Sequence, residues 1–405
     1  MANPSDQRIT QTEFVALVAM LVAAVAFSID SMLPAMPKIA EELTPEAPNL
    51  AQLIITSFVF GLGIGTFFAG PLSDSFGRKP VILAGSALYI FASALAWFAP
   101  SLELLLAARA LQGLGASCAR VVPMAIVRDL FSGRDMARIT SFIMMVFTLV
   151  PAIAPLIGSG IIALTGWRGI FAAFVVFALI SVAWLSLRVV ETWPHERRNP
   201  FRLRPVMAAA RLVMSNRMVQ LCTVAQVFCM TALFASLSSI HQIFDVTYDR
   251  ADGFPWWFAL IAVIAGAFSL LNAMLVMRLG MRRLVVTAMG LFIGLTSVMI
   301  VLAFEIYATL PFAFYIVWQG AVFVHTAMTL GNLSALAMEP MGAVAGMAAS
   351  VITGLATVGA VIFTIPIGLA FDGTPLPLMV GTVLSITCAL LLAKNIHESA
   401  PQDGG

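Results

Sequence analysis

The chain has 405 residues, 60% hydrophobic and 10% charged, with a net charge of +2 and a mean hydropathy of +0.98. Soluble domains carry about a quarter charged residues, so no soluble core could hide this much apolar sequence. The small net charge gives no sign of a nucleic-acid partner, and the basic residues are absorbed by the topology read below.

Apolar runs of about 20 residues, long enough to cross a bilayer core about 30 Å thick, recur along the whole chain. The first, Phe14 to Ile29, has poor signal-peptide flanks: Asp6, Arg8 and Glu13 before it, and Asp30, Met32 and Leu33 where small residues would be needed. It reads as an uncleaved span. Punctuation by charge, Pro and Gly places spans at 13–36, 50–71, 80–99, 102–127, 138–163 and 168–187. After an Arg-rich connector come 217–240, 255–277, 284–304, 309–333, 346–370 and 375–393. The fold class is therefore an all-α membrane protein with about twelve transmembrane helices. Its expected domains are an N-terminal six-helix bundle (1–190), a connector (191–216), a C-terminal six-helix bundle (217–395) and a tail (396–405). The four cysteines, Cys118, Cys222, Cys229 and Cys388, all fall in apolar runs and read as buried thiols.

Seventeen of the 22 Lys and Arg residues share one side of this topology, including the seven arginines from Arg188 to Arg217. Only Lys38, Arg168 and Arg250 fall opposite. Basic loops stay in the cytoplasm, so the connector and both termini are expected inside. Arg109 and Arg120 are left within the fourth span. The halves echo one another, with Phe76-Gly77-Arg78-Lys79 after span 2 and Leu279-Gly280-Met281-Arg282-Arg283 after span 8. Duplicated six-helix halves would give this; so would the general basicity of short cytoplasmic loops.

The stretch Gly70-Pro71-Leu72-Ser73-Asp74-Ser75-Phe76-Gly77-Arg78-Lys79-Pro80 reads as a loop with tight backbone at Gly70 and Gly77 and a basic pair that Asp74 can meet. It resembles the signature between helices 2 and 3 of the major facilitator superfamily. Other stretches are similar to its Bcr/CflA-type drug:proton antiporter branch. These are Ile29-Asp30-Ser31-Met32-Leu33-Pro34 with Pro37, Arg109-Ala110-Leu111-Gln112-Gly113, Arg128-Asp129, Ala154-Pro155-Leu156-Ile157-Gly158, Glu339-Pro340 and Phe371-Asp372-Gly373-Thr374-Pro375. The resemblance implies two six-helix bundles around a cavity lined by helices 1, 4, 7 and 10. It also implies proton-coupled efflux of small amphipathic drugs, no cofactor, a monomer, a bacterial inner-membrane location, and gating by Gly70, Asp74, Gly77, Arg78 and Lys79. Where the wider antiporter family has Gly-Pro and a Gly-Gly pair in helix 5, this chain has Ala154-Pro155 and Gly158-Ser159; with Pro151, these still imply close contact and a bend. The alternative function is a proton-coupled carrier for a small metabolite, for example an anion.

Independently of any family, an ionisable side chain inside a bilayer is costly and usually faces the bundle interior with a partner. Rise per residue puts Asp30 and Arg109 at similar depths. They read either as a proton-coupling or substrate site or as a static ion pair joining two helices. Arg120, three turns from Arg109 on the same face, reads as an anion contact or as a snorkelling residue. Gln112, Gln226, Trp318, Gln319 and His325 are candidate substrate contacts, with His325 also readable as a hydrogen-bonded core residue. Gly61, Gly65 and Ala69, and Gly342, Gly346, Ser350 and Gly354, form small-residue stripes suited to close helix contact. No metal site is expected, and no HExxH, GxSxG or phosphate-cradling Gly-Lys motif points to an enzyme.

Overall fold

Helical hydrogen bonding satisfies every backbone group of an apolar segment without water, and the computed structural model is built from this one solution. It describes residues 9–198, 200–201, 203–304 and 310–396; Arg8, Arg202 and all of the expected tail but Ile396 lie outside these. Among the described residues, twelve spans are long and apolar enough to cross a membrane. They are α1 Gln11–Leu43, α2 Pro48–Phe76, α3 Arg78–Trp97, α4 Leu102–Leu130, α5 Gly133–Thr165, α6 Gly169–Arg188, α7 Arg217–Thr247, α8 Ala251–Leu279, α9 Met281–Leu302, α10 Phe312–Gly342, α11 Gly346–Leu369 and α12 Leu376–Lys394. A shorter helix, Leu203–Ser215, lies in the connector. Cys118, Cys222 and Cys229 are buried as expected, but Cys388 is corrected: it lies on an exposed face of α12. Six spans precede the connector and six follow it, so Gln11 and Lys394 lie on the connector's side.

Several spans outrun their apolar windows. The distal part of α1, Met36–Leu43, is amphipathic: Met36, Ile39 and Ala40 are buried while Lys38, Glu41 and Glu42 are exposed. It follows a break, because Pro34 and Pro37 cannot donate helical hydrogen bonds to the carbonyls of Asp30 and Leu33, and regular α-helix ends at Asp30. The expected loop 70–80 is corrected. Helix α2 continues through Pro71 to Phe76, α3 begins at Arg78, and the turn is Gly77 alone, at φ 103°. Hydroxyls keep the end of α2 helical, with Ser73 Oγ donating to the Gly70 carbonyl and Ser75 Oγ to that of Pro71. Helix α5 runs through Pro151 and Pro155 without a break in its helical assignment.

Glycines set the closest helix contacts. A Cβ at Gly61 would fall 1.9 Å from the Ala110 carbonyl oxygen of α4, and one at Gly113 would fall 1.9 Å from that of Phe58 in α2. Gly158 brings α5 against the α1 break, where a Cβ would lie 2.2 Å from the Ser31 carbonyl. Across the halves, Gly354 meets Phe67 and Ser350 faces Gly70, so the α11 stripe lies along α2. Gly342 does not belong to that stripe: it sits at a kink with φ 42° and open space around it. The expected effect is specific. Gly61→Leu should lower stability by about 1–3 kcal/mol or more, because overpacking forces backbones apart. Gly290→Leu, where a Cβ meets nothing within 4 Å, should be neutral. Thermal unfolding in detergent checks this, and equal losses would refute it.

Candidate functional site

Helix α4 carries the most enclosed polar cluster. Arg109 is 0% exposed. Its Nη2 donates to the Ser28 carbonyl of α1 at 3.1 Å, its Nε to the Ile54 carbonyl of α2 at 3.3 Å, and its Nη1 to Gln112 Oε1. The guanidinium lies 4.4 Å from the centre of the Phe58 ring. Gln112 passes the network on to Ser93 of α3 at 2.7 Å, and Ser28 Oγ meets Tyr89 Oη at 2.6 Å. A buried guanidinium is tolerable only when its donors are used, and each of the three nitrogens here donates one hydrogen bond, joining α1, α2 and α4.

Asp30 is not its partner, so of the two readings of this pair the static ion pair is not what this conformation shows. Ser28 projects toward α3, and two residues along a helix turn the side chain by about 200°, which points Asp30 away from the clasp. Asp30 is 4% exposed, and its carboxylate has no ion pair or side-chain hydrogen bond among the described residues. It ends the regular part of α1 next to the Ser31 contact with α5. The similarity of depth is real, since Arg109 reaches α1 two residues from Asp30. Arg120 also lacks an ion pair or hydrogen bond among the described residues and is half-buried.

At the connector end, the signature residues form one charged knot. Arg78 donates to Asp129 Oδ2 at 2.9 Å, to Ser73 Oγ at 2.7 Å and to Asp74. Two residues that the sequence reading did not single out complete it. Glu191 accepts from the backbone N–H groups of Arg78 and Lys79, capping α3, and Trp193 stacks 4.5 Å from the Arg78 guanidinium while donating to the Asp74 carbonyl. Lys79 Nζ binds the carbonyls of Ser186 and Val189 at the end of α6. Thus the first connector residues are strapped onto the α2–α3 turn. The signal available in sequence was an acid immediately after span 6.

In the second half, Gln226 accepts from Ser334 of α10 at 3.0 Å, and Gln319 donates to Ser236 of α7. Trp318 donates to Thr296 of α9 at 3.1 Å, and His325 sits 3.9 Å from Cys229 Sγ with its ring 5.1 Å from that of Phe292. Trp318 therefore faces α9, and His325 lies between Phe292 of α9 and Cys229 of α7, so both are packed inside their own bundle. Gln226 Nε2, Gln319 Oε1 and His325 Nδ1 have no hydrogen-bond partner among the described residues.

At the end away from the connector, carboxamides join the halves. Gln52 Nε2 donates to Gln242 Oε1 at 2.6 Å, Ser239 Oγ to Gln52 Oε1 at 3.0 Å, and Gln242 Nε2 to Asn49 Oδ1 at 2.7 Å. Asn49 Nδ2 donates to the carbonyls of Leu369 and Phe371. Every side-chain hydrogen bond seen between the halves among the described residues lies at this end, which is therefore latched. No group of three or more His, Cys, Asp or Glu residues suited to a metal occurs among the described residues.

The sequence profile of the Major Facilitator Superfamily matches residues 16–364. Multidrug resistance protein MdtL of Citrobacter koseri is 28% identical over 386 residues, covering 94% of this chain and 95% of that one. The bicyclomycin resistance protein homolog of Haemophilus influenzae is 30% identical over 268 residues, 66% of this chain and 67% of that one. In fold, the chain superposes on the crystal structure of a D-xylose–proton symporter with a TM-score of 0.76 at 16% identity, over 95% of this chain and 98% of that one.

Proposed function

Since the chain belongs to the major facilitator superfamily and is an integral membrane transporter, we propose that it exports small amphipathic compounds in exchange for protons, by alternating access. Asp30 would be the carboxylate that carries the proton. The observation that carries this is its isolation: a carboxyl 4% exposed, with no partner among the described residues, at the break of α1. A charge inside a bilayer needs a counter-charge or water. The ionised form of Asp30 therefore calls for one of these, or for a cationic substrate, whereas its protonated form does not. Arg109 then positions α1 and takes no proton. The names of the two resistance-protein relatives support drug export over other cargo.

Arg120 favours the second reading, a carrier for a small anionic metabolite: it is a half-buried cation without a partner among the described residues, on the Arg109 face of α4. Transport of a fluorescent lipophilic cation against that of an organic carboxylate, in vesicles under an imposed pH gradient, separates the two. Uphill movement of the carboxylate alone would overturn the export reading.

The protein would act as a monomer in a bacterial inner membrane, with the connector cytoplasmic and the latched end facing out. Cysteines placed singly at Glu46 and Glu196, both exposed, test the orientation in whole cells. A membrane-impermeant maleimide should modify the first and spare the second. The reverse pattern would invert the topology.

A further inference from the structure

Beside the carboxamide latch lies a cavity of about 300 Å³, walled by the distal part of α1 and the start of α2 on one side and by α7 on the other. That volume is at the lower end of the range for small-molecule sites. Met36, Ala40, Ala51 and Val246 supply apolar walls, and Gln52 and Gln242 line it as well. Each half adds one carboxylate, Glu41 from α1 and Asp245 from α7. Neither has an ion pair among the described residues. Neighbouring cations are committed elsewhere, Arg168 to Glu42 and Arg250 to the face of Phe312, while Lys38 is exposed and bonded to neither acid.

We infer that this cavity is a binding site for an apolar organic cation at the outer mouth of the transporter, formed by both halves while the latch is closed. Two like charges set across a seam repel when both are ionised. A cation between them reverses that repulsion, and its apolar groups gain contact with the walls. A ligand there touches both halves and so adds to the latch. The site is separate from Asp30, and because its occupancy is an equilibrium property it stands whether or not the chain exports drugs. That this mouth faces outward rests on the orientation proposed above, and the test reads the face directly.

The test places Val246→Cys, at an exposed wall position, in a chain carrying Cys388→Ser, and labels right-side-out membrane vesicles with a membrane-impermeant maleimide. Tetraphenylphosphonium should slow labelling at least fivefold at saturation, and the neutral triphenylphosphine oxide should protect at least tenfold less well at equal concentration. Glu41→Gln with Asp245→Asn should abolish protection while leaving the unprotected labelling rate unchanged, which also shows that the double variant is folded. Asp30→Asn should keep protection in full. The inference is overturned by no labelling from this face, by no protection, by equal protection from the neutral compound, by protection that survives the double substitution, or by protection that disappears with Asp30→Asn.

Discussion

Asp30→Asn should reduce accumulation of a cationic substrate driven by a pH gradient about a hundredfold, while downhill movement of the same compound stays within about threefold of wild type. Asparagine preserves the volume and polarity of the side chain and removes only the exchangeable proton. Steps that need no proton exchange, including the rocking of one bundle against the other, should continue. The pH dependence of binding has a definite sign. If a cation can occupy the site only after Asp30 has lost its proton, each binding event releases one proton. Affinity then rises up to tenfold per pH unit on the acid side and levels off once the carboxyl is already ionised. In Asp30→Asn the slope should vanish. The direct measurement is proton release from detergent-solubilised protein on adding substrate. A release undiminished by Asp30→Asn would remove Asp30 from the coupling step and shift attention to Glu339 or Asp372. Asp372 accepts hydrogen bonds from the Thr374 N–H at 3.0 Å and its hydroxyl at 2.7 Å.

The spans and their number were legible because hydropathy is an average over some twenty residues and lipid tolerates no exposed backbone. Span ends were less so. Met36–Leu43 lies outside an apolar window because it is half exposed, and it stays helical through burial of Met36, Ile39 and Ala40. Gly70 to Pro80 looked like a loop because Pro71, Gly77 and Pro80 all punctuate, yet only Gly77 breaks the helix: Pro80 falls in the first turn of α3, where a missing N–H costs nothing. At the site, composition singled out Asp30, Arg109 and Gln112, since charges and amides inside apolar runs are rare. It could not reveal what they bond to. Pairing Asp30 with Arg109 matched depth alone, whereas azimuth decided the outcome: Ser28 and Asp30 differ by two residues and so by about 200°, a little over a half-turn. The Asn49, Gln52 and Gln242 latch was hidden for another reason. Gln242 lies 190 or more residues from Asn49 and Gln52 in sequence, and polar residues at the ends of spans are ordinary.

Arg109→Ala should be the most destabilising single change in the N-terminal bundle, by about 3–5 kcal/mol, because a large-to-small change in a packed core costs about 2–5 kcal/mol and each buried polar group left unpaired about 1–3 kcal/mol. The truncation strips donors from the carbonyls of Ser28 and Ile54, frees Gln112 Oε1, and leaves a void against Phe58. None of these groups can turn to water, since all lie deep in the bundle. Arg109→Lys should recover part of the loss: an ammonium can satisfy one or two acceptors but cannot fork toward α1 and α2 together or stack flat on an aromatic ring. The measurement is thermal unfolding of purified protein, with the fraction remaining monodisperse after heating as a second readout. A double-mutant cycle with Asp30→Asn then separates the clasp from an ion pair formed in some other state of the transport cycle. If Arg109 serves only the clasp, the two substitutions should add to within about 0.5 kcal/mol, as sites without a shared interaction do. An ion pair would behave differently, because Arg109→Ala alone would strand the Asp30 carboxylate and Asp30→Asn would relieve that penalty. Rescue of Arg109→Ala by Asp30→Asn, in stability or in downhill transport, would therefore restore the pairing that this conformation lacks and return Arg109 to the coupling step.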